Sequence, residues 1–146
     1  MFKRILVPID GSDTAWAALN KAIELAKDQN AELRIIEIVD LGPLFRASLS
    51  GANLADIERA IIQDCKRDLS RAEALARSAG ITPETALIEG SRRVSSEIVD
   101  DAERWSADLI VMGTHGRHGI ERFVLGSVAE GVARSASVPV MLIRSS

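Results

Sequence analysis

The 146-residue sequence is poor in the residues that build several common kinds of site. Cys65 is the single cysteine, which excludes an intramolecular disulfide and a cysteine-based zinc site. No lysine follows Lys66, and the pattern G-x-x-x-x-G-K-[ST] does not occur, which excludes a P-loop. The dinucleotide-binding pattern G-x-G-x-x-G is also missing. Because Cys65 falls on the apolar stripe of a predicted helix, we expect it to be a small core residue.

Strong charge and long apolar runs are absent as well. The formal net charge is -3, so the sequence has no basic footprint for nucleic acid, although a local anion site is compatible with an acidic protein. No apolar run approaches the length of a membrane span. The opening MFKRILVPID lacks the apolar core and cleavage site of a signal peptide. We therefore expect a cytoplasmic protein with neither a membrane nor a nucleic-acid partner.

Short apolar runs alternate with amphipathic stretches of helical period, in a chain that is 47% apolar. The five strand-like runs are 4–9, 32–39, 82–89, 107–112 and 138–144. The four helix-like runs are 12–29, 54–79, 94–105 and 127–136. Strict alternation predicts parallel strands joined by right-handed crossovers. The expected fold is one Rossmann-like α/β domain over residues 1–146, with an open five-stranded parallel sheet and four helices on both faces.

The composition of the strands predicts their places in the sheet. The first and fourth strands are continuously apolar, as expected for strands buried on both faces. The third strand alternates and carries Pro83 near its start, which suits a sheet edge. In an order of 3-2-1-4-5, a ligand would bind beyond the carboxyl ends of strands one and four. Those ends deliver Pro8-Ile9-Asp10-Gly11 and Met112-Gly113 to the same crevice.

The segment after the fourth strand is rich in glycine. It reads GTHGRHGIERFVLGS from Gly113 to Ser127. Its spacing G-2x-G-9x-G-[ST], the opening ILVPIDGS and the closing SVAEGVARSASVPVMLIR together resemble the universal stress protein family. The resemblance covers nearly the whole chain and implies a five-stranded parallel sheet of order 3-2-1-4-5, usually in a dimer. The glycine spacing is similar to that of family members that bind ATP.

The resemblance also implies roles for individual residues. The positions at the phosphates and the ribose correspond to Gly113, Gly116, Gly126 and Ser127. Asp10 would lie near the ribose, and the positions around the adenine are Pro8, Ile9, Val39 and Met112. Arg117, which fits either a phosphate neighbour or a surface charge, and Val128 complete the predicted site. The implied ligand is ATP with Mg.

Elementary chemistry agrees with these roles. Glycine allows backbone N–H groups to approach phosphate oxygens without a Cβ in the way. A helix that begins at Ser127 would direct its free N–H groups and the positive end of its dipole at the same anion. An ionised Asp10 acts only as a hydrogen-bond acceptor, which suits sugar hydroxyls and not phosphates.

Simpler explanations stand beside some of these roles. Ser127 and Glu130 form the pattern of a capping box, which would act alone or together with a phosphate contact. Asp10 fits a turn or a helix cap as well as a ligand contact. For His115 and His118 we expect solvated residues of the glycine-rich loop rather than metal ligands.

Three further features carry expectations. The stretch 40–53 is long for a loop and contains leucines and a phenylalanine, which must cover either the crevice or a partner. Gly131 falls inside the last predicted helix, where it would cost about 1 kcal/mol relative to alanine. The final strand, 138–144, is apolar yet lies at a sheet edge, so we expect it to pair with its own copy in a homodimer.

These observations leave three classes of function. The first is an ATP-binding regulatory protein of the stress response, which acts through protein partners that the sequence does not identify. The second is a slow ATP-hydrolysing or phosphate-transferring enzyme on the same site, in which bound Mg polarises the phosphates. The third is an interaction module with an empty crevice, against which the intact glycine pattern argues. The first class is favoured, because the sequence shows no acid, base or nucleophile apart from the binding residues.

Overall fold

The computed structural model describes residues 1–51, 53–115 and 125–145, and these contain one five-stranded parallel sheet. The strands are β1 (Arg4–Ile9), β2 (Glu32–Ile38), β3 (Glu84–Ile88), β4 (Leu109–Gly113) and β5 (Val140–Ile143). Their order, β3-β2-β1-β4-β5, confirms the predicted sheet. The edge strand β3 begins directly after Pro83, which has no N–H to contribute to the ladder.

Five helices connect the strands in this part of the chain, one more than the sequence pattern predicts. They are α1 (Asp13–Gln29), α2 (Gly42–Ser48), α3 (Leu54–Ser78), α4 (Val94–Trp105) and α5 (Ser127–Ser135). The additional helix α2 buries no residue, so it lacks the apolar periodicity on which the prediction relied. Two local features stabilise the start of α2 instead. Pro43 lies in the first turn, and the Asp40 carboxylate accepts a hydrogen bond of 2.9 Å from the N–H of Gly42.

The sheet carries a hydrophobic core on each face. Along β1, Ile5, Val7 and Ile9 pack with α1 and α3, whereas Leu6 packs with α4 and α5. All four side chains are buried. Burial on both faces is the reason that the central strands read as continuous apolar runs.

Membrane insertion finds no support among the helices that the structure describes. None of them combines the length and the apolar character that a bilayer crossing requires.

Gly131 lies where α4 and α5 approach each other closely. A Cβ at this position would be 2.6 Å from the Oγ of Ser95 and 2.7 Å from its Cβ. Alanine would add about 1 kcal/mol of helix propensity, but its methyl group would force the two helices apart. Packing therefore explains a residue that local propensity disfavours.

An ion pair between Arg34 of β2 and Asp101 of α4 connects the two elements. Arg34 donates to both carboxylate oxygens of Asp101, from Nε at 2.8 Å and from Nη2 at 2.9 Å. The side chain of Asp101 is only 4% exposed, and that of Arg34 is 17% exposed. The side-chain hydrogen bonds to Asp101 raise the pKa of Arg34 above the ordinary arginine value. The buried Asp101 carboxylate and the guanidinium of Arg34 therefore compensate each other.

We predict that Asp101→Asn lowers the free energy of unfolding by about 3 kcal/mol, because the Arg34 guanidinium loses its buried counter-charge. Urea unfolding followed by circular dichroism measures the change. Glu84→Gln is the matched control, since Glu84 contacts the same guanidinium at 3.0 Å but is 60% exposed. The control should lose less than about 1 kcal/mol. Equal losses in the two variants would contradict the prediction.

Candidate functional site

A cavity of about 450 Å³ lies at the carboxyl ends of β1 and β4. These strands are parallel neighbours, so their last residues meet at the same edge of the sheet. The cavity wall includes most of the residues predicted from the sequence, namely Pro8, Ile9, Asp10, Met112, Gly113, Gly126, Ser127 and Val128. Its volume falls in the range of about 300–1,000 Å³ that is typical of small-molecule sites.

Among the predicted residues that the structure describes, Val39 is the one that does not line this cavity. The N–H of Val39 donates to the carbonyl of Ile88 at 2.8 Å, so its backbone continues the ladder toward β3. The residues on either side of it, Ile38 and Asp40, line the cavity instead. Gly116 and Arg117 lie outside the described residues, so their predicted roles stay predictions.

Other elements contribute residues that the sequence reasoning missed. These include the apolar Ile61, Cys65, Val94, Ile98 and Leu125, and the acidic Glu37, Asp40 and Asp64. For the four of these apolar residues that lie on helices, a helical stripe indicates burial but does not identify the surface that it faces, so the sequence could not assign them. Glu37 did carry a signal, because it is a carboxylate inside an otherwise apolar strand end, IIEIV. Cys65 is buried as expected, at 5% exposure.

The stretch 40–53 covers the cavity with only part of its apolar surface. Pro43 lies in the cavity wall. Phe45 and Leu49, in contrast, are 70% and 78% exposed. Pro43 therefore covers part of the crevice, whereas Phe45 and Leu49, which are among the residues on which the expectation rested, face solvent in this single chain.

The chain turns sharply between β1 and α1. Oδ1 of Asp10 accepts a hydrogen bond of 2.9 Å from the N–H of Ser12, and Gly11 between them has a φ of 81°. The Oγ of Ser12 then caps α1 by accepting from the N–H of Ala15 at 3.3 Å. Asp10 thus has the turn role that was one of its two sequence interpretations, and it also lies in the cavity wall.

Hydroxyl groups of α1 hold the end of β4. The carbonyl of His115 accepts hydrogen bonds from Thr14 Oγ1 and from Ser12 Oγ, the latter at 3.3 Å. Thr14 also lies directly against Gly113, where a Cβ would be 2.7 Å from the backbone carbonyl carbon of Thr14. Gly113 is therefore required for the contact between β4 and α1.

The N-terminus of α5 forms one end of the cavity, and no side chain caps it in the described structure. The N-cap residue is Gly126, so the expected capping box of Ser127 with Glu130 is not formed. The N–H of Gly126 donates to the carbonyl of Thr114 at 2.7 Å. Helix geometry leaves the next three N–H groups, of Ser127, Val128 and Ala129, without an intrahelical acceptor. These donors and the helix dipole make this end of the cavity attractive to an anion.

Gly126 is needed for contact rather than for an unusual backbone conformation. Its φ of −62° is accessible to every residue. A Cβ at this position would lie 2.9 Å from the carbonyl oxygen of Thr114 and 3.3 Å from the Cα of His115. At both described glycines of the motif, Gly113 and Gly126, the closely approaching group is therefore the protein itself.

His115 is held by the protein and is not simply solvated. Its Nδ1 lies 3.0 Å from Oγ1 of Thr114. Its Nε2 is buried and has no hydrogen-bond partner among the described residues. The described part of the chain contains no group of three or more metal-ligating side chains around it or elsewhere. His118 lies outside the described residues.

Charge is distributed unevenly along the cavity. Four carboxylates line the part formed by β1, β2 and α3, namely Asp10, Glu37, Asp40 and Asp64. No described lysine or arginine lines any part of it. The opposite part holds the uncapped N-terminus of α5. A ligand with one anionic end and one end rich in hydrogen-bond donors would therefore bind in a single direction.

We predict that Gly126→Ala lowers the free energy of unfolding by about 1–3 kcal/mol, because the methyl group would collide with the Thr114 carbonyl. The collision would also strain the hydrogen bond of 2.7 Å that this carbonyl accepts. Thermal unfolding measures the effect. Ser127→Ala is the control, since Ser127 is exposed and makes no capping bond, and it should stay within about 0.5 kcal/mol. An unchanged free energy of unfolding in Gly126→Ala would contradict the prediction.

Comparison with known proteins places this architecture in a defined group. The sequence pattern described as the universal stress protein family matches residues 1–144. A universal stress protein of Methanocaldococcus jannaschii is 37% identical over 144 residues, which cover 99% of this chain and 83% of that protein.

Solved structures with the same fold include proteins bound to nucleotides. A universal stress protein in complex with cAMP has a TM-score of 0.67 and 28% identity, with 99% of this chain and 98% of that chain covered. The universal stress protein of Archaeoglobus fulgidus in complex with dAMP has a TM-score of 0.69 and 25% identity, with 97% of each chain covered. With its sheet order, its glycine-bounded cavity and a family match over almost its full length, this chain belongs to the universal stress protein family.

Proposed function

We propose that the cavity binds an adenine nucleotide, with ATP and Mg as the expected ligand, and that the protein is a nucleotide-binding regulator of the stress response. The observation that carries the proposal is the cavity at the ends of β1 and β4, which is closed at one end by the uncapped N-terminus of α5. Two proteins of similar fold are bound to cAMP and dAMP, which supports an adenine nucleotide here.

The phosphates would occupy the end of the cavity beside α5. The N–H groups of Ser127, Val128 and Ala129 are the donors that remain there after Gly126 has bonded to Thr114. Gly116 and Arg117, outside the described residues, keep their phosphate-binding role as part of this proposal. Mg would neutralise part of the phosphate charge, which matters because the other end of the cavity is lined by carboxylates.

The nucleoside would lie over the ends of β1 and β2. Asp10 stands at the carboxyl end of β1, next to the phosphate end of the cavity, where a carboxylate suits the ribose hydroxyls. Apolar wall residues suited to an adenine ring include Pro8, Ile9 and Met112. This arrangement needs no lysine.

We predict that MgATP binds about 100-fold more tightly than adenosine, because each charge-assisted hydrogen bond to a phosphate adds about 1.5–3 kcal/mol. Isothermal titration calorimetry measures both affinities. Native mass spectrometry of the protein purified without added nucleotide shows whether it carries such a ligand from the cell. In the same titration, Asp10→Asn keeps an acceptor for the turn but loses the charge, so a charge-assisted ribose contact should make this variant bind more weakly than the parent. Absence of any heat with ATP, ADP and AMP would overturn the proposed function.

We further propose that two copies pair through β5. All four residues of this edge strand are apolar, and each keeps some exposure in the single chain. An uncovered apolar edge strand promotes aggregation, and pairing with the same strand of a second copy across a two-fold axis covers it.

We predict that sedimentation velocity at micromolar concentration finds a dimer, and that Leu142→Glu yields monomers or insoluble protein. The charged side chain would stand beside the proposed β5 interface. Thr85→Glu on the opposite edge strand, β3, is the control and should leave the dimer intact. A parent protein that sediments as a monomer would refute the pairing.

A further inference from the structure

Glu37 is an unusual residue for its position. It is 3% exposed, and it follows Leu33 and Ile35 on the same face of β2, which are 2% and 0% exposed. Its partner in the adjacent strand is Ile9. An apolar side chain would serve the packing of this face, as Leu33 and Ile35 do, whereas a buried carboxylate has to be compensated by hydrogen bonds.

The carboxylate borders the cavity rather than the closed core. Glu37 lines it together with Ile61 and Cys65 of α3 and Ala15 of α1. Hydrogen bonds that a buried carboxylate accepts are strong. The two carboxylate oxygens offer about four acceptor positions, so a ligand donor can be accepted besides contacts with the protein.

The position of Glu37 along the cavity indicates which end of a ligand it meets. The anion-attracting end lies beyond β4, where the N–H of Gly126 is bonded to Thr114. β2 is separated from β4 by β1, which amounts to two strand spacings or about 10 Å. A nucleotide with its phosphates at α5 and its ribose at Asp10 therefore directs its base toward Glu37. A phosphate at Glu37 would face a carboxylate instead.

We infer that Glu37 is a specificity-determining residue, which accepts a hydrogen bond from the exocyclic amine of the base and so selects adenine over 6-oxopurines. The inference rests on the proposed function. An ionised carboxylate is only an acceptor. Adenine presents an amine donor at its 6-position, whereas guanine and hypoxanthine present a carbonyl acceptor there. If the 6-carbonyl of guanine or hypoxanthine faced the buried carboxylate of Glu37, two hydrogen-bond acceptors would oppose each other. The site should therefore bind such a base much more weakly than adenine.

The test compares ATP with inosine triphosphate, which differs from ATP in having a 6-carbonyl in place of the amine. Calorimetry at constant Mg measures both affinities for three proteins: the parent, Glu37→Gln and Glu32→Gln. The parent should bind ATP at least about 100-fold more tightly than inosine triphosphate. In Glu37→Gln the ratio should fall below about tenfold, because an amide can donate to the carbonyl as well as accept from the amine. Glutamine has nearly the same shape, and circular dichroism checks the fold.

Glu32→Gln is the matched control. It makes the same substitution in the same strand, but the Glu32 side chain is 65% exposed, is paired with Arg4 and does not line the cavity, so the ratio should stay at the parent value. Equal binding of ATP and inosine triphosphate by the parent would overturn the inference and leave the proposed function standing. An unchanged ratio in Glu37→Gln would overturn it as well. Failure of the parent to bind any adenine nucleotide would overturn both. If Glu37→Gln does not fold, the ratio of the parent's affinities for ATP and inosine triphosphate is sufficient to test the inference.

Discussion

The parallel pairing of β1 with β4 is the constraint on which the candidate site depends. From β1 the sheet extends through β2 to β3 on one side and through β4 to β5 on the other, with α1 and α3 on one face and α4 and α5 on the opposite face. A crevice therefore opens where the two halves diverge, beyond the carboxyl ends of the two central strands. Hydroxyl groups of Ser12 and Thr14 hold the carbonyl of His115, so the first turn of α1 ties both walls of the crevice together.

The same arrangement gives the two ends of the cavity different electrostatic character. Parallel strands bring all their carboxyl ends to one edge, and with them the residues that start the following helices. At the β4 end this produces an uncapped helix with three N–H donors, and at the β2 end it produces a group of carboxylates. The direction in which a ligand binds thus follows from topology, and the side chains refine it.

Three glycines illustrate how packing between elements imposes a small residue. The positions 113, 126 and 131 each lack room for a Cβ, because Thr14, the Thr114 carbonyl and Ser95 lie within 3 Å of where it would be. None of them adopts a left-handed conformation. A glycine pattern that resembles a phosphate-binding motif is therefore also a pattern of close contacts between elements, and substitutions there affect folding as well as any ligand.

The sequence by itself determined the alternation of elements, the buried central strands, the edge position of β3 and most of the residues at the carboxyl edge, because periodicity and strand ends are local properties. It did not reveal α2, which is held by a proline and an aspartate turn without an apolar face. It predicted the start of α5 at Ser127 but suggested a capping box there, whereas Gly126 is the N-cap and its N–H is bonded to the carbonyl of Thr114. Only tertiary structure brought Glu37, Ile61 and Cys65 to the cavity. The physical reason is that β2 and α3 meet across the sheet face, and no local pattern records which distant residues a buried side chain will face.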